Sequence, residues 1–335
     1  MPLAARARMK IPARLIATGK ALPSLRVTSE SLDRKHGWPV GHTFAKGGVR
    51  VRHFAAEGES QSQLGATALA DALQRACLPA SSIDLLISAC GVPEQALPST
   101  ACFIAARAGL PRGTPAFDVN ASCLGFMAAL RVAAGLMTSG GYERIAIVAS
   151  DMASRGLDWD EPEASLIFGD GAAAAILEKG GGAQGIAAYR METFPEGKRF
   201  CEIRGGGSER NPPDSTMPKD FLFQMDGRAV FKLAAKVIPP FLDTLMAQTE
   251  GGKASLDLVV PHQASHLGMA HAARKLGLPA SRVVNIYETH GNQVAASLPT
   301  ALHEALTTGR AKAGDRVLLI GTAAGLSVGG LVLDL

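Results

Sequence analysis

Three polar residues in this chain stand beside small or apolar neighbours at places suited to chemistry. They are Cys123 in Asn120-Ala-Ser-Cys-Leu-Gly-Phe126, His262 in Val260-Pro-His-Gln-Ala264, and Asn292 in Thr289-His-Gly-Asn-Gln293. A cysteine opening a helix faces the positive end of the helix dipole and free backbone N–H groups, which lower its pKa and favour the thiolate. Taken singly, each residue has a plainer reading: an inert buried cysteine, a hydrogen-bonded core histidine, a helix-capping asparagine. Taken together, a thiolate and two neutral hydrogen-bond donors suit acyl transfer followed by stabilisation of an enolate. His290 is read as a structural or spare hydrogen bonder. The other four cysteines, Cys77, Cys90, Cys102 and Cys201, are read as core or surface residues, with no CxxC spacing for metal or redox work.

The elements that must position these groups alternate between apolar runs and helical segments, which predicts an α/β architecture. The run 83–90 (IDLLISAC) reads as a buried strand and 100–110 as a helix stopped by Pro111 and Gly113. A strand near 116–120, a small-residue helix from Gly125 to about Ser139 and a strand over 144–150 follow. The segment 168–177 (FGDGAAAAIL) reads as a glycine-flanked turn and a strand. The second half repeats this order: a strand at 257–260, a helix near 266–276, a strand near 282–287, a helix near 295–308 and a strand at 316–320. Asp84-Leu-Leu-Ile and Asp257-Leu-Val-Val open matching stretches, and Arg144-Ile-Ala-Ile and Arg316-Val-Leu-Leu close them. An internal duplication accounts for this, with halves at 1–180 and 181–335 and the active site where they meet. Between them, 190–226 reads largely as loop, and Pro239-Pro240 should kink or break the helix 228–248.

Composition sets the class. The 335 residues are 47% hydrophobic and 19% charged, a balance that fits a packed globular protein and argues against disorder. Lys+Arg exceed Asp+Glu by 34 to 30 with no basic stripe, which argues against bulk nucleic-acid binding. The basic start MPLAARARMK lacks the apolar stretch of a signal peptide, and no apolar window approaches the ~20 residues of a membrane span. Five cysteines, an odd number without disulfide or metal spacing, suit a reducing cytoplasm.

Several segments, in order, resemble the β-ketoacyl-acyl-carrier-protein synthase III family of the thiolase superfamily. They are Gly48-Val-Arg-Val-Arg-His53, Leu97-Pro-Ser-Thr-Ala-Cys102, Ala116 through Phe126, Phe168-Gly-Asp-Gly-Ala172, Pro261-His-Gln-Ala264, His290 through Pro299 and the glycine-rich end from Gly321. The resemblance implies a thiolase-like αβαβα five-layer fold and a homodimer. It implies a decarboxylating condensation of an acyl thioester with a malonyl-type thioester on acyl carrier protein, without metal or redox cofactor and with acyl-CoA as substrate. Cys123 is then the acylated nucleophile, and His262 and Asn292 hold the extender's thioester carbonyl. The N–H groups of Cys123 and Ala324 surround the oxyanion. Lys46 and Arg155 fall where relatives contact coenzyme A, and Arg274 and Lys275 on the helix that docks the carrier protein.

The chain also departs from the family pattern. Ser265 replaces an asparagine after His-Gln-Ala, Leu267 a basic docking residue, and His42 an aromatic that stacks on adenine. Leu97 and Thr322 replace large aromatics that shape the acyl pocket, implying a wider or longer one. Acyl transfer to oxygen or nitrogen, and head-to-head joining of two acyl chains, are the alternatives within the superfamily. The latter uses a glutamate near the position of Leu97, where this chain has Glu94 close by. A non-catalytic thiolase-like binding protein is the remote alternative, disfavoured because all three polar residues are present.

Overall fold

The computed structural model describes residues 11–180, 182–211 and 217–335, without the side chains of 271–273, 275 and 276. The basic start 1–10 and the pair Pro212-Pro213 lie outside the described residues.

Two sheets organise the chain. A five-stranded sheet runs in the spatial order Ala13–Ala21, Gly171–Lys179, Arg144–Asp151, Leu85–Ser88, Ala116–Asp118. A four-stranded sheet runs Leu258–Pro261, Arg316–Ala323, Ser327–Asp334, Gly185–Thr193. Their strands are apolar on both faces because both faces are covered. Leu85, Ile87, Ile145 and Ile147 point into a central core shared with Leu258, Val260, Val317 and Leu319 of the other sheet. Leu86, Ala146 and Val148 point outward to the helix Gln61–Ala76. On the second sheet Val259, Leu318 and Ile320 point outward to the helix Gly227–Ala247. The helices Gly125–Ser139 and Ser297–Thr307 fill the middle. This is the five-layer αβαβα arrangement of the thiolase-like fold. The apolar stretch Ser122–Ser139, with a mean hydropathy of 1.4, owes that character to its place between two sheets.

The duplication is visible in repeated polar contacts. Asp84 Oδ2 accepts the Arg144 N–H at 2.8 Å, and Asp257 Oδ2 accepts the Arg316 N–H at 2.8 Å. Arg144 Nε reaches Glu178 at 2.8 Å, as Arg316 Nε reaches Asp334 at 2.6 Å. In each half an arginine at the start of a strand is thus pinned by an aspartate before the parallel neighbour and a carboxylate near the end of the antiparallel one.

Two expectations are corrected and a third is made specific. No strand forms over 282–287, where only Val283 bridges to Val259 and the helix Tyr287–His290 follows. Side chains take the backbone donors there: Gln263 Oε1 accepts the Ile286 N–H at 2.9 Å, and Asn285 Oδ1 accepts that of Tyr287 at 3.0 Å. The described part of 190–226 is largely loop, as expected, with Arg190–Thr193 completing a strand paired to Ser327–Gly330 and Cys201–Glu202 pairing with Gln224–Met225. The helix Gly227–Ala247 runs through Pro239 and Pro240. The carbonyls that lose a partner belong to Ala235 and Lys236, neither of them buried, where water can replace the missing donors.

Candidate active site

Cys123, the expected nucleophile, sits on a strained bend between the strand Ala116–Asp118 and the helix Gly125–Ser139. Ser122 takes φ 52°, a left-handed conformation that side chains rarely adopt. Local polar contacts hold it. Asn120 Oδ1 accepts the Ser122 N–H at 2.8 Å, and the Gly125 N–H closes onto the Ser122 carbonyl at 2.8 Å. Gly125 is required here, since a Cβ would fall 2.4 Å from the Ala89 carbonyl oxygen.

A chain of contacts brings the other half to this bend. His262 follows the strand Leu258–Pro261 and anchors its N–H on the Ile320 carbonyl at 2.7 Å. Its Cβ and the Leu124 side chain both crowd Gly321, at 2.6 and 3.2 Å from where a Cβ would stand. The imidazole therefore lies beside the residue that follows Cys123. The Asn292 Nδ2 donates to the Ala264 carbonyl at 3.3 Å, tying it to the His262 loop. Its Oδ1 accepts the Val294 N–H at 2.9 Å. Val294 in turn presses on Gly91, which also borders Ser122.

The Gly-Asp-Gly turn at 169–171 explains itself in this setting. A Cβ on Gly169 would fall 2.1 Å from the His290 carbonyl oxygen, and one on Gly171 2.1 Å from Gln293 Nε2. Both glycines thus let the Asn292 loop approach. Asp170, buried between them, accepts the N–H groups of Ala55 and Ser154, each at 2.8 Å.

Electrostatics overturn one expectation. Burial pushes the Cys123 thiol up to about 12, and the charges of Asp151 and Cys201 act in the same direction. Its own N–H and that of Ala324 pull the other way and do not prevail. The resting sulfur is therefore a thiol, because desolvation outweighs the helix terminus. Burial also lowers His262 to about 4, so its imidazole is neutral, and its buried Nδ1 has no partner among the described residues. His290 is likewise lowered to about 4, mainly by burial, and its Nδ1 lies 2.9 Å from the Thr289 hydroxyl.

Two neighbours escaped the sequence reading. Cys201, read as an ordinary cysteine, lies close enough to Cys123 for charge on one to raise the other. Asp151, at the end of a strand, is 1% exposed and takes part in the same field. The resemblance between the Gly-Asp-Gly segment and a family motif was legible, but no signal in the sequence singled out these two.

The remaining expected residues spread outward. Thr322 precedes Ala324 by two residues, on the strand Arg316–Ala323. Lys46 lies exposed on the short helix His42–Gly47, and Arg155 is exposed with its Nη2 on the Ala56 carbonyl at 3.0 Å. Leu97 is 82% exposed and is not gathered with the three polar residues. Arg274 is exposed on the helix His266–Leu276, and the side chain of Lys275 lies outside the described residues. Ser265 caps that helix, accepting the Gly268 N–H at 3.1 Å, while Leu267 is 66% exposed. His42 lies tilted against Trp38, with ring centroids 5.2 Å apart.

Comparison with known proteins follows the same lines. The family model described as 3-oxoacyl-[acyl-carrier-protein (ACP)] synthase III matches residues 117–195, and the one for its C-terminal part matches 246–335. Beta-ketoacyl-[acyl-carrier-protein] synthase III of Laribacter hongkongensis is 35% identical over 325 residues, 96% of this chain and 98% of the relative. This chain belongs to the β-ketoacyl-acyl-carrier-protein synthase III family. The Neisseria meningitidis serogroup C relative of the same description is 33% identical, covering 96% of this chain and 99% of its own. Among solved structures, synthase III of Thermus thermophilus superposes with a TM-score of 0.87 at 30% identity, covering 96% of this chain and 98% of its own. That of Aquifex aeolicus gives 0.86 at 28%, covering 96% and 100%. OleA of Xanthomonas campestris gives 0.85 at 20% identity, covering 98% and 100%, and shows the fold alone. As a synthase III family member, the protein is a condensing enzyme of the transferase class.

Proposed function

We propose that the protein joins an acyl group from acyl-CoA to malonyl-acyl-carrier protein by decarboxylating Claisen condensation, through an acyl-Cys123 intermediate. The observation that carries this reading is Cys123 with the Ala324 N–H on its sulfur, its neighbour Leu124 packed beside a neutral, buried His262 whose Nδ1 has no partner among the described residues. In the first half-reaction the Cys123 sulfur adds to the acyl carbonyl, and its proton leaves with the expelled coenzyme A thiol. The N–H groups of Cys123 and Ala324 stabilise the tetrahedral oxyanion, each worth on the order of 3 kcal/mol at comparable sites. In the second, the bond between the malonyl carbon and its carboxylate breaks and carbon dioxide leaves. The electron pair enters the thioester enolate, whose oxygen accepts from His262 and Asn292. The enolate carbon then bonds to the acyl carbon as the bond from that carbon to sulfur breaks, and the departing Cys123 thiolate takes up a proton from water to restore the resting thiol. This scheme needs no metal or redox cofactor.

The head-to-head alternative needs a carboxylate base. Glu94 is spoken for: its Oε2 accepts the Ser62 N–H at 2.6 Å, at the start of the helix Gln61–Ala76. On this reading acyl-CoA enters past Lys46 and Arg155, and the carrier protein docks on the helix bearing Arg274 and Lys275. A homodimer would cover the open edge strand Ala116–Asp118, the exposed Phe117 and Leu97. Intact-protein mass spectrometry after incubation with acyl-CoA, followed by addition of malonyl-carrier protein, is the test. Acylation confined to the Cys123 peptide, then discharge with stoichiometric carbon dioxide, is expected. Discharge without carbon dioxide would point to an oxygen or nitrogen acceptor instead.

A further inference from the structure

Asp151 is a fully enclosed carboxylate that the condensation scheme does not use. It ends the strand Arg144–Asp151, the structural counterpart of the second-half strand Arg316–Ala323. Among the described residues no cationic side chain pairs with it. Its Oδ1 instead accepts backbone N–H groups of Gly91 at 2.9 Å and Val92 at 3.2 Å, in the segment leaving the strand Leu85–Ser88. Its Oδ2 accepts the Ala295 N–H at 3.2 Å. One side chain thus joins two backbone segments, one from each half of the molecule.

Those two segments border the chemistry. Gly91 accepts the Asn120 Nδ2 on its carbonyl at 3.2 Å and lies against Ser122, the strained residue before the nucleophile. Ala295 comes three residues after Asn292, beyond Val294, whose φ of 53° marks a tight turn. A Cβ on Gly91 would fall 2.5 Å from Val294 Cγ1 and 3.3 Å from Asp151 Oδ1, so the three groups are in mutual contact. Burying an acid this fully is costly, and a neutral residue could fill the space. What a carboxylate alone supplies is four acceptor positions aimed at N–H donors of both segments.

We propose that Asp151 is the positioning residue that sets the Asn292 turn against the Cys123 bend, by holding backbone N–H groups of both halves on one carboxylate. The inference rests on the proposed role of Asn292 in holding the enolate. The charge of Asp151 also raises two buried thiols, Cys90 and Cys123.

The test uses the full-length Asp151→Asn variant, whose carboxamide keeps the shape but turns an N–H₂ toward one pair of donors. Carbon dioxide release from malonyl-carrier protein should fall at least tenfold, while transfer of acyl groups from acyl-CoA to Cys123 changes less than threefold. The pH midpoint for iodoacetamide labelling of the Cys123 peptide should move down, since a negative charge beside the sulfur has gone. General loosening of the fold would also lower that midpoint by relieving burial, but it would slow both half-reactions alike, so the split between them separates the two causes. The Gly91→Ala variant wedges the segments apart while leaving the carboxylate intact. It should reproduce the decarboxylation defect without the midpoint shift, and it decides the matter if Asp151→Asn does not fold. Unchanged carbon dioxide release in whichever variant folds, or equal loss in both half-reactions, overturns the proposal. Asn292→Ala is the control: if it still decarboxylates normally, the role given to Asn292 fails instead.

Discussion

The Asn292 Nδ2 donates to the Ala264 carbonyl at 3.3 Å, and the Ala264 N–H donates to the His262 carbonyl at 2.9 Å. The carboxamide and the imidazole are therefore set relative to each other by the backbone of one loop. Asn292 Oδ1 is occupied by the Val294 N–H, so the amide cannot flip, and one of its two N–H bonds remains for a ligand oxygen. Asn292→Asp replaces that donor by an acceptor. Carbon dioxide release from malonyl-carrier protein should drop about a hundredfold, close to 3 kcal/mol, whereas acyl-Cys123 still forms. Stopped incubations read by mass spectrometry separate the two.

Gly321 is the other fixed point of the imidazole. An added methyl at Gly321→Ala would stand 2.6 Å from the His262 Cβ, so the ring must move. We expect a tenfold or greater loss of decarboxylation and a stability loss of about 1–3 kcal/mol from overpacking. Urea unfolding beside the half-reaction assay checks both.

The Cys123 thiol has a pH signature. With its pKa pushed up to about 12 by burial, the thiolate fraction grows about tenfold per pH unit across the neutral and mildly alkaline range. Iodoacetamide labelling of the Cys123 peptide should follow that slope from pH 7 to 10 in the ligand-free protein. A plateau beginning about pH 9.5 would show a thiol of ordinary acidity.

Burial of His290 links pH to stability. Its folded-state pKa is lowered from 6.5 to about 4, so between those values the unfolded chain binds a proton that the folded chain refuses. This contribution is complete above about pH 6.5 and is lost as the pH falls toward 4, by about 3 kcal/mol at most. His290→Gln should therefore narrow the stability difference between pH 7 and pH 5. Comparing variant with parent cancels the opposite slope from Asp151, whose pKa burial raises to about 7.

Lys46 and Arg155 lie outside the catalytic contacts. Lys46→Ala and Arg155→Ala should raise KM for acyl-CoA severalfold with little change in kcat, and added salt should shrink the effect. Initial rates at two ionic strengths measure it.

Much of this protein is written in local sequence. Apolar runs bounded by Asp84 and Arg144, and again by Asp257 and Arg316, announce strands buried on both faces and a repeated half. The spacing places Cys123 and Asn292 at matching points of the two repeats, and small residues around Cys123 mark the bend. These features rest on periodicity and backbone sterics, which act between near neighbours. What failed at 282–287 was decided by Gln263 and Asn285, whose side chains capture N–H groups that a β-ladder would otherwise use. Only the folded chain brings Asp151 within reach of Gly91 and Ala295, 60 and 144 residues away, and Cys201 beside Cys123. The state of the sulfur belongs to that second category as well. A helix start is visible in sequence, but the depth of burial that outweighs it is a property of two sheets closing over one site.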